Sequence, residues 1–186
     1  MDEIHKADLD RLVELASAGA VQAGEALAQL VGIPVETGAP VVVSMSAAED
    51  GVEVARLGSD PDSSGVFFEF EGCLDAIIGI LFPDAASELL VRRIVGIESG
   101  ELEPTVVESA LMEVGNILAS HVASAIADRL GSRLLPSIPS LAMSDAEVEL
   151  EAFIDRLVGP LSPRIESRLV DQRGSLIGRL VLVPTR

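Results

Sequence analysis

The chain has 186 residues, 48% of them apolar, enough for the core of one large domain or two small ones. A formal net charge of −17 with no basic stripe makes nucleic acid a poor partner. One cysteine, Cys73, and two histidines, His5 and His121, exclude a disulfide framework and a cysteine- or histidine-rich metal centre. Cys73 reads as a buried thiol and the imidazoles as surface groups. The start, Met1-Asp2-Glu3-Ile4-His5-Lys6, is acidic and unlike a secretory signal. No uninterrupted apolar run approaches the ~20 residues that span a bilayer. These features imply a cytoplasmic chain with no membrane partner. Lys6 is the one lysine against twelve arginines, and acidic excess with so little lysine points to a halophilic cytoplasm.

In chain order, Leu12, Leu15, Ala16, Gly19, Ala23, Ala26, Leu27, Leu30 and Val31 recur at helical spacing and predict a helix over Asp8–Val31, stopped by Gly32 and Pro34. Pro40–Met45 is short and β-branched, Val52-Glu53-Val54 alternates, and 58–65 is a Gly/Ser/Asp/Pro loop. Val66, Phe68 and Phe70 alternate with Phe67, Glu69 and Glu71, a half-buried strand. Gly72 marks a turn into the buried strand Ala76–Phe82. Pro83 and Asp84 open a helix to about Val95. After a connector, a long helix runs from about Thr105 to Leu130 and stops at Gly131. Leu134–Ser140 is punctuated by proline. Ser144-Asp145-Ala146-Glu147 reads as a capping box for a helix to about Val158. Two strands, Arg164–Val170 and Ser175–Val183, close the chain around the turn Asp171–Gly174.

The sequence matches itself at an offset of 99. Leu12, Glu14, Ala20, Ala26, Ala28, Gly32 and Pro40 fall on Leu111, Glu113, Ala119, Ala125, Ala127, Gly131 and Pro139. Gap-free identity of Glu, Gly and Pro over some thirty residues is harder to reach by chance than identity of Ala and Leu. An internal duplication with pseudo-two-fold symmetry follows. One domain is expected, 1–186, with halves of about 8–98 and 104–186 sharing a core.

Ser109, Glu113, Asn116 and Ser120 are spaced 4, 3 and 4 and lie on one face of the second long helix. Gly115, a weak helix former, sits beside Asn116 and leaves room for a partner surface to approach it. Glu113 can accept a salt bridge. The Asn116 amide offers a donor and an acceptor on one plane, suited to holding water but not to acting as a base. The stripe holds no nucleophile-and-base pair, and no phosphate-cradling glycine loop is present. From spacing alone, a solvated polar face explains the stripe at least as well.

The residues also resemble a family. The CheC/CheX/FliY phosphatases of chemotaxis carry Asp or Ser, three residues, Glu, two residues, Asn, twenty-two residues, Pro. Ser109, Glu113, Asn116 and Pro139 have that spacing. Glu71–Asp75 running into Gly79–Pro83 resembles the family's central hairpin and helix entry, and Gly178–Pro184 its final strand. The chain is thus identified as similar to the CheC branch, as found in a haloarchaeon.

The resemblance implies an α/β (α+β) fold, internally duplicated, with a central, largely antiparallel sheet and two long pseudo-symmetric helices on one face. It implies dephosphorylation of the aspartyl phosphate of a CheY-type response regulator. Glu113 would dock against a lysine of the regulator and Asn116 would orient the attacking water. Ser109 would be accessory and Pro139 structural, shaping the turn after the helix. Mg²⁺ would come with the regulator, and this chain would hold no metal or cofactor. The first copy keeps Asp10, Glu14 and Pro40 but has Ser17 in the asparagine's place. A serine lacks the amide's reach, so this site is expected to be inactive or feeble, and Ser17→Asn to raise activity. The alternative is a non-catalytic adaptor that binds CheD or the phosphorylated regulator.

Overall fold

A computed structural model of the chain describes residues 6–43, 47–48, 51–52, 63–159 and 162–185. Helix α1 is Lys6–Val31. Strands β1 (Val35–Thr37) and β2 (Val41–Val43) follow, then the pair β3 (Ala47–Ala48) and β4 (Gly51–Val52). Strands β5 (Ser64–Gly72) and β6 (Ala76–Phe82) lead into helices α2 (Asp84–Val95) and α3 (Pro104–Leu130). Strands β7 (Leu134–Pro136) and β8 (Ser140–Ala142) precede helix α4 (Ala146–Leu157). The chain closes with β9 (Arg164–Asp171) and β10 (Leu176–Pro184). The expected strand residues 44–45, the expected alternation at 53–54 and most of the expected loop at 58–65 lie outside the described residues; Ser64 and Gly65, expected in that loop, open β5 instead.

Every pairing in the main sheet is antiparallel, in the order β1-β9-β10-β6-β5-β7, with β2 also on β9 and β8 also on β5. The offset of 99 read from the sequence carries one half's pairings onto the other's. Val35 opposite Asp171 becomes Leu134 opposite Gly72, and Val41 opposite Glu166 becomes Ser140 opposite Phe67. The short strands of each half pair with the hairpin of the other, so the two halves are interlaced in one sheet.

Strand alternation sets the layers. Val66, Phe68, Phe70, Ile78 and Ile80 face α1, α2 and α3 in the larger core. Phe67, Ile77, Leu81, Val181 and Val183 face α4 in a smaller one. Helices α1 and α3 lie side by side, Gly19 against Val122 and Ile126. They run antiparallel, since the C-terminal end of α1 and the N-terminal half of α3 both meet α2. Gly32 and Gly131 end the two helices alike, each with positive φ and its N–H on the carbonyl four residues back, Ala28 and Ala127.

Three local expectations are corrected. Strands β1, β7 and β8 were not expected as strands; each spans three residues, too few for alternation to register, and Pro136 closes β7. The capping box at Ser144–Glu147 does not form. Asp145 takes the left-handed conformation at the helix start with no side-chain cap, and the Glu147 carboxylate pairs instead with Arg179 at 3.5 Å. Cys73 is half-buried, its thiol donating to the Ser132 carbonyl at 3.5 Å. His121 is exposed, and His5 lies outside the described residues. Helix α3 is also long and apolar enough to meet the length and composition test for a membrane span, and half of its most apolar window is buried in the fold. A helix packed on a sheet and on two other helices needs apolar residues around most of its circumference.

Candidate functional site

The polar stripe stands on the outer face of α3. Ser109, Glu113, Asn116 and Ser120 are all exposed, while Ala110, Val114, Gly115, Leu118 and Ala119 are buried beneath them. The Ser120 hydroxyl donates to the Asn116 backbone carbonyl at 2.7 Å and so points back along the helix. Among the described residues, neither the Glu113 carboxylate nor the Asn116 amide has a side-chain partner. Residues three apart on a helix hold their Cβ atoms about 5–6 Å from each other. A carboxylate and an amide therefore stand side by side, facing solvent, with their hydrogen-bonding capacity unspent.

Gly115 has a different reason from the one its position suggested. It faces inward, and a Cβ there would sit 2.7 Å from the Val66 side chain on β5. The glycine lets α3 come down onto the sheet; it does not open Asn116 to a partner.

Pro139 is not part of the stripe. It lies between β7 and β8, where three residues, Ser137, Ile138 and Pro139, stand opposite two, Glu69 and Phe68. This is a bulge in an edge strand, a place where a residue without an N–H does no harm. The Ser137 N–H donates to the Glu69 carbonyl at 2.7 Å, and the Ser137 hydroxyl accepts from the Glu69 N–H at 2.9 Å. Pro40 occupies the matching bulge on β9, where the Gly38 N–H donates to the Arg168 carbonyl at 2.8 Å. The turn that proline shapes is thus a strand bulge and not the helix stop, which Gly131 makes.

On α1, Asp10 and Glu14 are exposed, whereas Ser17 and Pro40 are half-buried. Because α1 and α3 are antiparallel, the two stripes lie toward opposite ends of the pair. At 1.5 Å per residue, the levels of Glu14 and Glu113 are about 20 Å apart along the axis. The structure does not bring the two copies together into one centre.

Sequence reasoning missed the shoulder of α3. A groove of about 420 Å³ runs between α2 and α3, walled by Ile94, Val95, Val106 and Ala110, with Ser109 and Glu113 also in its lining. The available signal was Val106, three residues before Ser109 and on the same helix face. Among the described residues no cluster of His, Cys, Asp and Glu is arranged to hold a metal ion.

Residues 106–142, which contain the whole signature from Ser109 to Pro139, match the CheC-like family. Over that segment the chain is similar to the CheC-like family. It is 28% identical over 144 residues to the CheY-P phosphatase CheC of Bacillus subtilis (strain 168), covering 75% of this chain and 68% of that one. The fold is shared with FliY of Thermotoga maritima, with a TM-score of 0.68 and 14% identity over 97% of this chain and 91% of that one. It is shared too with the CheX–CheY–BeF3–Mg²⁺ complex of Borrelia burgdorferi, with a TM-score of 0.63 and 16% identity over 92% and 99%.

Proposed function

We propose that this chain dephosphorylates the aspartyl phosphate of a CheY-type response regulator through the α3 site. Glu113 docks on a basic side chain of the regulator, and the Asn116 amide orients the water that attacks phosphorus in line. The regulator brings the Mg²⁺. One observation carries the reading: within the segment that matches the CheC-like family, Glu113 and Asn116 stand exposed and without side-chain partners on one face of a helix packed on the sheet. Phosphoryl transfer is mostly positioning and electrostatics, so an amide held in place is sufficient machinery for a water-mediated step. The named activity of the Bacillus subtilis relative and the regulator bound in the Borrelia complex support the same assignment. Ser109, on the same face one turn before Glu113, is accessory, and Pro139 supports the fold.

Ser17 on α1 favours one rival, a non-catalytic adaptor that binds CheD or the phosphorylated regulator. Decay of a phosphorylated CheY-type regulator, followed at high and at low salt, separates the two. Wild type is expected to accelerate decay, and Asn116→Ala to lose the acceleration by about 10²-fold, the scale of misplacing a reacting group. Ser17→Asn is expected to add activity. No acceleration by wild type would make the adaptor the correct reading. An unimpaired Asn116→Ala would overturn the site.

A further inference from the structure

We infer that the groove between α2 and α3 receives an apolar side chain of the phosphorylated regulator, next to the basic group taken by Glu113. The inference rests on the proposed function and adds a second foothold to the same docking event. The groove is continuous with the stripe, because Ser109 and Glu113 belong to both. Ile94, Val95, Val106 and Ala110 form its apolar walls beside the polar Thr105, Ser109 and Glu113, and Val106 remains 37% exposed on its edge, with Ile97 nearby in sequence at 38%. Apolar surface left open beside a polar stripe has the composition of a docking patch, an apolar centre with a polar margin.

Charge fixes the kind of partner. Glu113 lines the groove, and Glu101 and Glu103, just before α3, are exposed. Of the neighbouring cations, Arg92 pairs with Glu88 at 2.9 Å and donates to the Gly100 carbonyl, and the exposed Arg93 guanidinium lies near Gly32. The surface that fits is therefore one with a lysine or arginine beside an exposed apolar side chain. In the repeat, Ala7 stands in the place of Val106, so the α1 stripe lacks the valine at the groove's edge. That exchange separates the two copies independently of Ser17.

The test is steady-state decay of the phosphorylated regulator across its concentration, paired with direct binding of the regulator loaded with beryllium fluoride. Val106→Glu is expected to raise KM and weaken binding by about tenfold or more, with kcat within about twofold of wild type. Val106→Leu is expected to keep both, and thermal unfolding of the two variants checks that the fold is intact. An unchanged KM and affinity in Val106→Glu, with wild type active, would refute the groove while leaving the site standing. A fall in kcat at unchanged KM would refute it as well. If wild type binds without hydrolysing, the binding arm alone decides. If wild type neither binds nor hydrolyses, the functional reading fails and the groove falls with it.

Discussion

At the scale of single residues, Gly115 shows how one position answers to two demands. In an exposed helix interior glycine costs about 1 kcal/mol relative to alanine. Here that cost is offset by the approach of α3 to Val66, where an added Cβ would meet three side-chain atoms at 2.7–2.8 Å. Overpacking of this kind costs about 1–3 kcal/mol. Gly115→Ala is therefore expected to destabilise the fold by roughly 1–2 kcal/mol, net of its better helix propensity. Urea midpoints measure this, and Val66→Ala in the same chain should recover most of the loss. A stabilised single mutant would show that α3 can lift without penalty. The sequence revealed that Gly115 was special but not which way it faced, since helical spacing orders residues around an axis without placing the sheet. The stripe itself was legible because Ser109, Glu113 and Asn116 are polar residues at i, i+4 and i+7 among apolar ones.

At the scale of elements, α1, α3 and the closing hairpin were legible to within about two residues, since each is long enough for its period to repeat. The first hairpin was legible as a hairpin, but the alternation of β5 did not reveal that α4 buries Phe67 on its second face. Strands β1, β7 and β8 were not, and neither were the bulges that put Pro40 and Pro139 on sheet edges. The start of α4 misled for a different reason. Glu147 was expected to cap its own helix, but Arg179 on β10 holds it across the sheet face. It belongs to a half-hidden charge cluster: Arg179 also pairs with Glu166 at 3.5 Å, and Arg164 pairs with Glu151. Burial holds the Glu166 carboxyl above its ordinary value of 4.5, with Arg179 the largest opposing influence, and burial likewise lowers the Arg164 guanidinium. A carboxyl with a raised folded pKa contributes stability that is full below 4.5 and is lost as pH rises through its folded value. Glu166→Gln removes that titration. Urea midpoints from about pH 4 to pH 8 are expected to fall less steeply with rising pH in this variant than in wild type. Identical slopes would mean that water reaches Glu166 freely.

At the scale of the whole molecule, the repeat was the most informative signal in the sequence, because an offset of 99 predicts matched helices, matched caps and matched bulges together. What it left out is the exchange of partners. Strands β1 and β2 lie on β9, and β7 and β8 lie on β5, so either half alone would leave its hairpin edge uncovered. Separately produced fragments 1–98 and 104–186 are expected to lack cooperative urea unfolding, and to regain it on mixing. A cooperative transition in one fragment alone would contradict the shared core. Similarity between halves shows which segments are alike; it carries no information on which copy each segment pairs with.

Interlacing also sets a schedule for the nascent chain. Strand β1 is synthesised more than a hundred residues ahead of β9, its one ladder partner among the described residues. At translation rates of about 5–20 residues per second, that interval is on the order of ten seconds. Throughout it the apolar face of α1 has only part of its native cover, because α3 and β9 emerge later. The first half must therefore wait, exposed, for the last strands to be made, and protecting a newly made chain over that interval falls to the cell rather than to the fold.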